Sequence, residues 1–523
     1  MSETLQHECG VAALYWLSKP QAAPGPASRS VRDGDVAPLM PRLLLDLQNR
    51  GQLAAGISSY NPNRPQLLQT FRDVGTVVEA FRMSRPGEHE AILRRCAGRA
   101  AVGHTRYATC GQESASFAQP FERHHGRLWK WFAFAFNGQL ANYIELRDRL
   151  LAKRHYHFTL NTDTEIIMHQ LSYQLRGDRQ PDLVAVMRSA GRLFDGAYNI
   201  VFLNAMGDMF AARDPLGFRP LCYGVQGRLF AAASESVALA NLGFTDIRFL
   251  APGCMALVRG GRLSIEPFAK PRQAHCFFEW VYFANVASEI DQLSVYLARS
   301  RCGHRLAERE DQPIGPDCIV VPVPDTAKAA ADAFAYQLGI PSVEGLIRNR
   351  YLGRTFIEPG ATRRETAARK YAALPSVLEG KRVFLVEDSI VRATTLASLT
   401  DQLRRRGRAR EIHVRVACPP IVAPCFYGID MSTLGELFAP HHVGSGYRGR
   451  LNEPTAARMA KVLGVDSLRY LSVDDLGECI GIAQPRLCLA CVTGRYPTAW
   501  GRRLIRRARR KHRLGREPAR TYQ

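Results

Sequence analysis

The densest chemistry in the sequence lies in Arg382-Val-Phe-Leu-Val-Glu-Asp-Ser-Ile-Val-Arg-Ala-Thr-Thr-Leu396. The apolar run Val383 to Val386 has the length and composition of a buried strand. Two carboxylates follow, Glu387 and Asp388, then the small and hydroxyl residues Ser389, Ala393, Thr394 and Thr395. A helical pattern begins near Leu396. A strand, an acidic end and a small-residue turn into a helix suit a phosphorylated sugar. Backbone N–H groups at the helix start hold a phosphate. Carboxylates just before it hold ribose hydroxyls or a magnesium ion. An ordinary strand–loop–helix unit with two solvated acids has the same spacing.

A second set of reactive types lies near the start. Cys9 precedes Gly and an apolar run, and reads as the first residue of a strand. If residues 1–8 are removed, Cys9 carries a thiol beside a free α-amine of near-neutral pKa, which can act as its base. Arg106, in Gly103-His-Thr-Arg-Tyr-Ala-Thr109, sits at a strand end among small residues and can grip a carboxylate through two hydrogen bonds. The Asn137 amide and Gly138 N–H can form an oxyanion hole. Asp163 stands directly before the helical Ile166 to Leu175. Each also has a purely structural reading. A lone early Cys is commonly packed, Asn-Gly is a hairpin turn, and Thr-Asp-Thr-Glu is a helix cap.

The elements that must position these groups divide the chain. Its 523 residues suffice for two or three domains. Hydrophobic residues at 46% and charged residues at 23% give a globular balance. No run of eighteen uncharged apolar residues occurs, so no membrane span is expected. Residues 1–8 lack a signal-peptide pattern, which favours the cytoplasm. Lys19 to Asp35 is a Pro- and Gly-rich surface loop. Beyond Cys318, strands alternate with helices, which implies a parallel sheet covered on both faces. Its ligands gather at strand carboxyl ends, where Glu387 and Asp388 fall. The net charge is +22, with ten Lys or Arg against one acid from Gly501 to Gln523. Such a tail suits an anionic partner, although a solvated, partly disordered tail is favoured over nucleic acid.

Cys-Gly-Val, Asn49-Arg-Gly-Gln52, His-Thr-Arg-Tyr-Ala-Thr, Asn-Gly and Thr-Asp-Thr-Glu occur in the order of class II glutamine amidotransferases, and the chain resembles that family. Asp214-Pro-Leu-Gly-Phe-Arg-Pro220 and Ser234-Glu-Ser236 extend the likeness. The resemblance implies Cys9 as nucleophile, and Arg106 and Asp163 as holders of the glutamine α-carboxylate and α-amine. It implies Asn137 and Gly138 as stabilisers of the tetrahedral intermediate. Asn49 and Phe136 each replace a usual His, a change expected to alter packing.

The Glu387 stretch resembles the phosphoribosyl pyrophosphate signature of type I phosphoribosyltransferases, in the form found in amidophosphoribosyltransferases. Glu387 replaces Asp there, and Ala393 replaces Gly, which restricts the turn if its φ must be positive. Asn349 to Ile357, with Arg354, resembles a loop over the pyrophosphate. Lys370 matches a family lysine, while Ala368 replaces an Arg. Thr326, in Pro324-Asp-Thr326, matches a hydroxyl that assists magnesium. Cys488-Leu-Ala-Cys491 alone fits a redox pair or half of a zinc site. With Cys276 and Cys425 it is similar to the iron–sulfur subgroup, which implies a [4Fe–4S] cluster on four thiolates and a removable propeptide.

These readings predict a propeptide (residues 1–8) and an α+β N-terminal-nucleophile glutaminase domain (9–270) built as an αββα sandwich. An α/β type I phosphoribosyltransferase domain (271–475) and a cluster-binding segment with a basic tail (476–523) follow. The implied activity is transfer of glutamine-derived ammonia to phosphoribosyl pyrophosphate, giving 5-phosphoribosylamine, the first committed step of purine biosynthesis. Magnesium, purine nucleotide inhibitors and a homo-oligomer (dimer or tetramer) are implied with it. The rival is a diverged phosphoribosyl pyrophosphate or nucleotide sensor with a nucleic-acid-binding tail. It has no need of the glutaminase set.

Overall fold

The computed structural model describes residues 9–107, 115–349, 371–429, 431, 433–444 and 446–516. Arg354, Lys370 and residues 1–8 lie outside these, and of Thr395 only its place in a helix is described.

The amino-terminal half is built on two antiparallel sheets. The first orders its strands Ile247–Phe249, Cys222–Gln226, Leu229–Ala233, Gly10–Trp16, Ala100–Arg106, Ala54–Tyr60 and Leu68–Val74. The second runs Arg262–Pro267, Cys254–Arg259, Met209–Arg213, Gly196–Asn204, Phe132–Leu140 and Phe121–Arg123. Period-two alternation assigns each strand two faces. Val11, Ala13 and Tyr15 enter the core between the sheets, with Ala135, Val201 and Phe230. Ala12 and Leu14 face the other way, onto Leu43, Leu44, Phe81 and Leu239. Phe132, Phe134 and Phe136 leave the second sheet outward, onto Ile166, Leu171 and Met187. The layers are therefore helix, sheet, sheet, helix. Because both faces are covered, the strands read as nearly unbroken apolar runs. Cys254–Arg259 pairs in a hairpin with Arg262–Pro267, which forms the edge of the second sheet.

The second half is a four-stranded sheet in the order Cys318–Pro322, Arg382–Glu387, Glu411–Val416, Ser467–Tyr470, parallel throughout. Phe384 and Val386 pack on the side of helices Val295–Glu308 and Lys328–Leu338. Val383 and Leu385 pack on the side of Ala393–Arg405 and Glu453–Leu463. Helix Val473–Ile480 runs across position 475, so no linker lies there. Leu487–Cys488 pairs in parallel with His275–Cys276 and ties the end of the chain to the entry of this half. Helix Ala499–Arg513 then docks through Ile505. This basic stretch is thus an ordered helix rather than the partly disordered tail expected of its charge, because Trp500, Leu504 and Ala508 give it an apolar stripe. No helix among the described residues is long and apolar enough to cross a membrane.

A buried ionic network joins the halves. Arg50 donates to Glu235 at 2.7 Å and to Glu279 at 2.7 Å, and Arg219 reaches Glu279 at 3.3 Å. Arg219 also donates to the Tyr427 carbonyl at 2.7 Å. All four charged side chains are at most 1% exposed. Charges at such depth persist only when each is compensated.

Candidate functional sites

Cys9 is half-buried at the mouth of strand Gly10–Trp16. Its Sγ lies 3.4 Å from both the N and the O of Tyr107, at the far end of the neighbouring strand Ala100–Arg106. That strand must bring Arg106 to the same edge, since Gly10 pairs with Thr105. Arg106 is buried, with its guanidinium over the Phe117 ring at 5.4 Å. His104 Nε2 meets the Phe136 carbonyl at 3.2 Å and fastens the two sheets together at this end. Burial holds His104 neutral, with its pKa lowered to about 3, so this contact is a tie and not a titrating group.

One residue beyond Phe136, the Asn137 side chain is 1% exposed, and neither Oδ1 nor Nδ2 has a partner among the described residues. An orphaned buried polar group costs roughly 1–3 kcal/mol, and a ligand's oxygen accepting from Nδ2 would relieve the donor's share. Gly138 has φ 142°, and a methyl group there would stand 2.1 Å from the Ala197 carbonyl oxygen. Only glycine fits. Asp163 opens helix Asp163–Gln174 and is buried. Its Oδ2 accepts from Leu140 N at 3.4 Å and its Oδ1 from Thr164 N at 2.9 Å. Burial pushes its pKa up to about 6, against these N–H donors. Cys9 and Arg106 thus stand at one end of paired strands in the first sheet, while the Asn137 amide and the Asp163 carboxylate lie along strand Phe132–Leu140 of the second.

Neighbouring residues have structural tasks. Glu165 accepts from the backbone N–H groups of Thr159, Leu160 and Asn161 at 2.7–2.9 Å and shapes the loop before Asp163. Asp214 organises the Asp-Pro-Leu-Gly turn through Leu216 N at 2.9 Å. Asn49 bonds Glu235 at 3.0 Å and Phe136 packs in the outer core, so both residues standing for His serve the frame. Sequence reasoning missed the Arg50–Glu235–Glu279–Arg219 network. Its one local signal is Glu279, a lone acid inside the aromatic run Phe277 to Phe283.

In the second half, Pro322 pairs with Val386 near the carboxyl ends of adjacent parallel strands, so Thr326 and the Asp388–Arg392 turn follow at the same end of the sheet. Asp388 is buried, and accepts from Thr326 Oγ1 on one oxygen and from Ser389 Oγ at 2.6 Å on the other. Burial raises its pKa, with Arg299 opposing. Glu387 is half-buried and accepts from Asp388 N at 3.2 Å. Asp388 is thus held inward by hydroxyls, and Glu387 is the more accessible of the pair. Ala393 is the first residue of helix Ala393–Arg405, and the residues of positive φ do not include it. The restriction expected from alanine there does not arise.

Cys276, Cys425, Cys488 and Cys491 line one cavity together with Phe218, Arg219 and Tyr427. The thiols lie near enough to raise one another's pKa; that of Cys491 rises by burial first, then through Cys276, Cys425 and Cys488. Tyr427 N donates to Cys425 Sγ at 3.3 Å. Among the described residues, no three of His, Cys, Asp or Glu are close enough to grip a single metal ion. The thiols line a small cavity of about 10 Å³. The cavity borders both halves, since Phe218 stacks on Tyr427 at 4.3 Å between ring centres. A methyl on the next residue, Gly428, would stand 3.2 Å from the Gly138 carbonyl carbon.

Comparison with known proteins places this geometry. A glutamine amidotransferase domain model matches residues 76–250. The amidophosphoribosyltransferase of Methanothermobacter thermautotrophicus is 38% identical over 498 residues, covering 94% of this chain and 95% of the relative. That of Synechococcus elongatus is 37% identical over 503 residues, covering 94% and 92%. The solved structure of the Bacillus subtilis glutamine phosphoribosylpyrophosphate amidotransferase, complexed with ADP and GMP, superposes with a TM-score of 0.78 at 32% identity. The match covers 94% of this chain and 98% of that one.

Proposed function

The chain belongs to the amidophosphoribosyltransferase family, and on that footing we propose how its residues divide the work of the first step of purine biosynthesis. Removal of residues 1–8 would leave the Cys9 α-amine to take the thiol proton. Sγ then attacks the side-chain carbonyl carbon of glutamine. The tetrahedral oxyanion is held by the Asn137 amide and the Gly138 N–H. As it collapses, the Cys9 α-ammonium returns its proton to the leaving nitrogen, the C–N bond breaks, ammonia departs and a thioester remains. Water then cleaves the thioester to glutamate. Arg106 would hold the α-carboxylate and Asp163 the α-amine. The observation that carries this reading is the Asn137 amide, buried and without a partner beside the sheet edge that bears Cys9 and Arg106.

Ammonia displaces pyrophosphate from C1 of phosphoribosyl pyrophosphate in the second half. Glu387 and Asp388 would bind ribose hydroxyls or magnesium, with Thr326 fixing the Asp388 carboxylate. Ser389, Ala393, Thr394 and Thr395 would enclose the 5-phosphate at the helix start. Arg354 and Lys370 would neutralise the pyrophosphate. Magnesium, when bound, would supply charge neutralisation at the leaving group. Inhibition by purine nucleotides fits an enzyme at the head of a pathway, and ADP and GMP occupy the B. subtilis relative.

Four cysteine thiols line one cavity, and four thiolates are the ligand set of a [4Fe–4S] group as well as of zinc; we propose the cluster. Cys276, Cys425, Cys488 and Cys491 would hold it, and its role would be to tie the chain's end to both halves. Two measurements test these assignments. Anaerobically purified protein should carry about four irons per chain; zinc in their place would overturn the cluster. With both substrates present, glutamate and pyrophosphate should appear in equal amounts. Glutamate release that ignores phosphoribosyl pyrophosphate would contradict the coupling.

A further inference from the structure

Helix Ala499–Arg513 presents eight Lys or Arg among fifteen residues and no acid. Its apolar stripe is already used: Ile505 is buried, and Trp500, Leu504 and Ala508 pack on the same core. Arg502, Arg503, Arg506, Arg507, Arg510 and Arg513 are exposed around the remaining face. None has an acid within ion-pair distance among the described residues. The amidotransferase reaction uses none of them.

A second group of cations continues this surface. The first turn of the helix, with Arg502, walls a cleft of about 550 Å³ whose other side carries Arg192, Lys270 and Arg272. These three are exposed and likewise lack an acid partner among the described residues. Two acids also border the cleft, Glu145 and Asp195. Glu145 is engaged by Arg149, and Asp195 caps Trp500 N at 3.1 Å. The face as a whole is therefore strongly positive and rigidly held.

We infer that this face binds the phosphate backbone of a nucleic-acid duplex, a function separate from purine synthesis. The helix is about 22 Å long, about two-thirds of a duplex turn, and its arginines match phosphates by paired hydrogen bonds. An anionic membrane fits less well, since interfacial helices bury an apolar face in lipid and this one is spent on the protein core. Single strands need stacking rings, and the helix has one, Trp500, already beneath the Arg503 guanidinium at 4.9 Å. The net charge of +22 on the chain would steer any polyanion inward.

The test uses the full chain and a labelled 20-base-pair RNA duplex followed by fluorescence anisotropy, with a DNA duplex, a 20-nucleotide single strand and phosphatidylglycerol vesicles in parallel. Micromolar binding to at least one duplex at 50 mM salt is expected, weakening by about tenfold or more at 200 mM as counterions are released. Arg506→Glu/Arg507→Glu/Arg510→Glu should lose at least tenfold in affinity and keep glutamine-dependent activity. The milder Gln triple should lose less, and the Lys triple should bind like the parent. No duplex binding at 50 mM salt overturns the inference. So does a Glu triple that stays active and binds undiminished, or tighter binding to the single strand or to vesicles. Should the Glu triple be inactive, the Gln triple decides by the same criterion.

Discussion

At the residue scale the glutaminase edge is defined by what its side chains lack. Asn137 is buried, and its amide has no partner among the described residues; on the proposed reading it meets an oxygen that develops charge only during reaction. Asn137→Ala should lower glutamine-dependent kcat by about a hundred- to a thousandfold, the usual loss for one oxyanion donor. KM should move little, and ammonia-dependent synthesis should persist. Asp163 carries a pH signature. Its pKa, pushed up to about 6 by burial, means that the free enzyme loses the anion as pH falls through 6. The kcat/KM for glutamine should therefore drop about tenfold by pH 5, without a matching drop for ammonia. The stability effect has the opposite sign. A carboxyl whose folded pKa exceeds its unfolded value of about 3.9 favours folding in its protonated form. Its contribution is complete below that value and is lost as pH rises through about 6. Thermal melts of Asp163→Asn across this range should show that slope removed.

At the scale of elements, the turn after strand Arg382–Glu387 shows what sequence could and could not foresee. Strand, acidic end and helix were legible, because a buried parallel strand reads as an apolar run and a helix start as small and hydroxyl residues. The orientation of the acids was not. Asp388 turns inward because Thr326, 62 positions earlier, reaches it through a loop that only the sheet order brings near. Alanine at 393 would constrain a turn of positive φ, yet it sits at the first helical position, where alanine is at ease. Ala393→Gly should accordingly gain no affinity for phosphoribosyl pyrophosphate and should cost up to about 1 kcal/mol of stability. A Gly variant with markedly tighter substrate binding would show that the bound turn needs a positive φ. The carboxy-terminal helix was misjudged for a related reason. Its charge count dominates its composition, while the four apolar contacts that dock it are sparse in the sequence.

For the whole molecule, the junction matters more than either half. The four thiols, the Phe218–Tyr427 stack and the Arg50–Glu235–Glu279–Arg219 network lie where the halves meet. Tyr427 and Gly428 extend from this junction to the back of Gly138. Glu279→Gln would leave Arg50 and Arg219 with one fewer counter-charge in the interior. A cost of roughly 3–5 kcal/mol is expected, read as a fall in the denaturant midpoint, together with weaker stimulation of the glutaminase by phosphoribosyl pyrophosphate. Unchanged stability would mean that the network is not the joint described.

On the proposed reading, one chain holds two chemically distinct sites, and the ammonia released at one is consumed at the other. Cys9→Ala removes the proposed nucleophile together with its Sγ contacts to Tyr107 at 3.4 Å. The most direct measurement is phosphoribosylamine synthesis by this variant with glutamine and, separately, with ammonium salt. Loss of glutamine-dependent synthesis with ammonia-dependent synthesis near the parent rate is predicted. A folded variant that still uses glutamine, or one that has lost the ammonia reaction as well, would contradict the account.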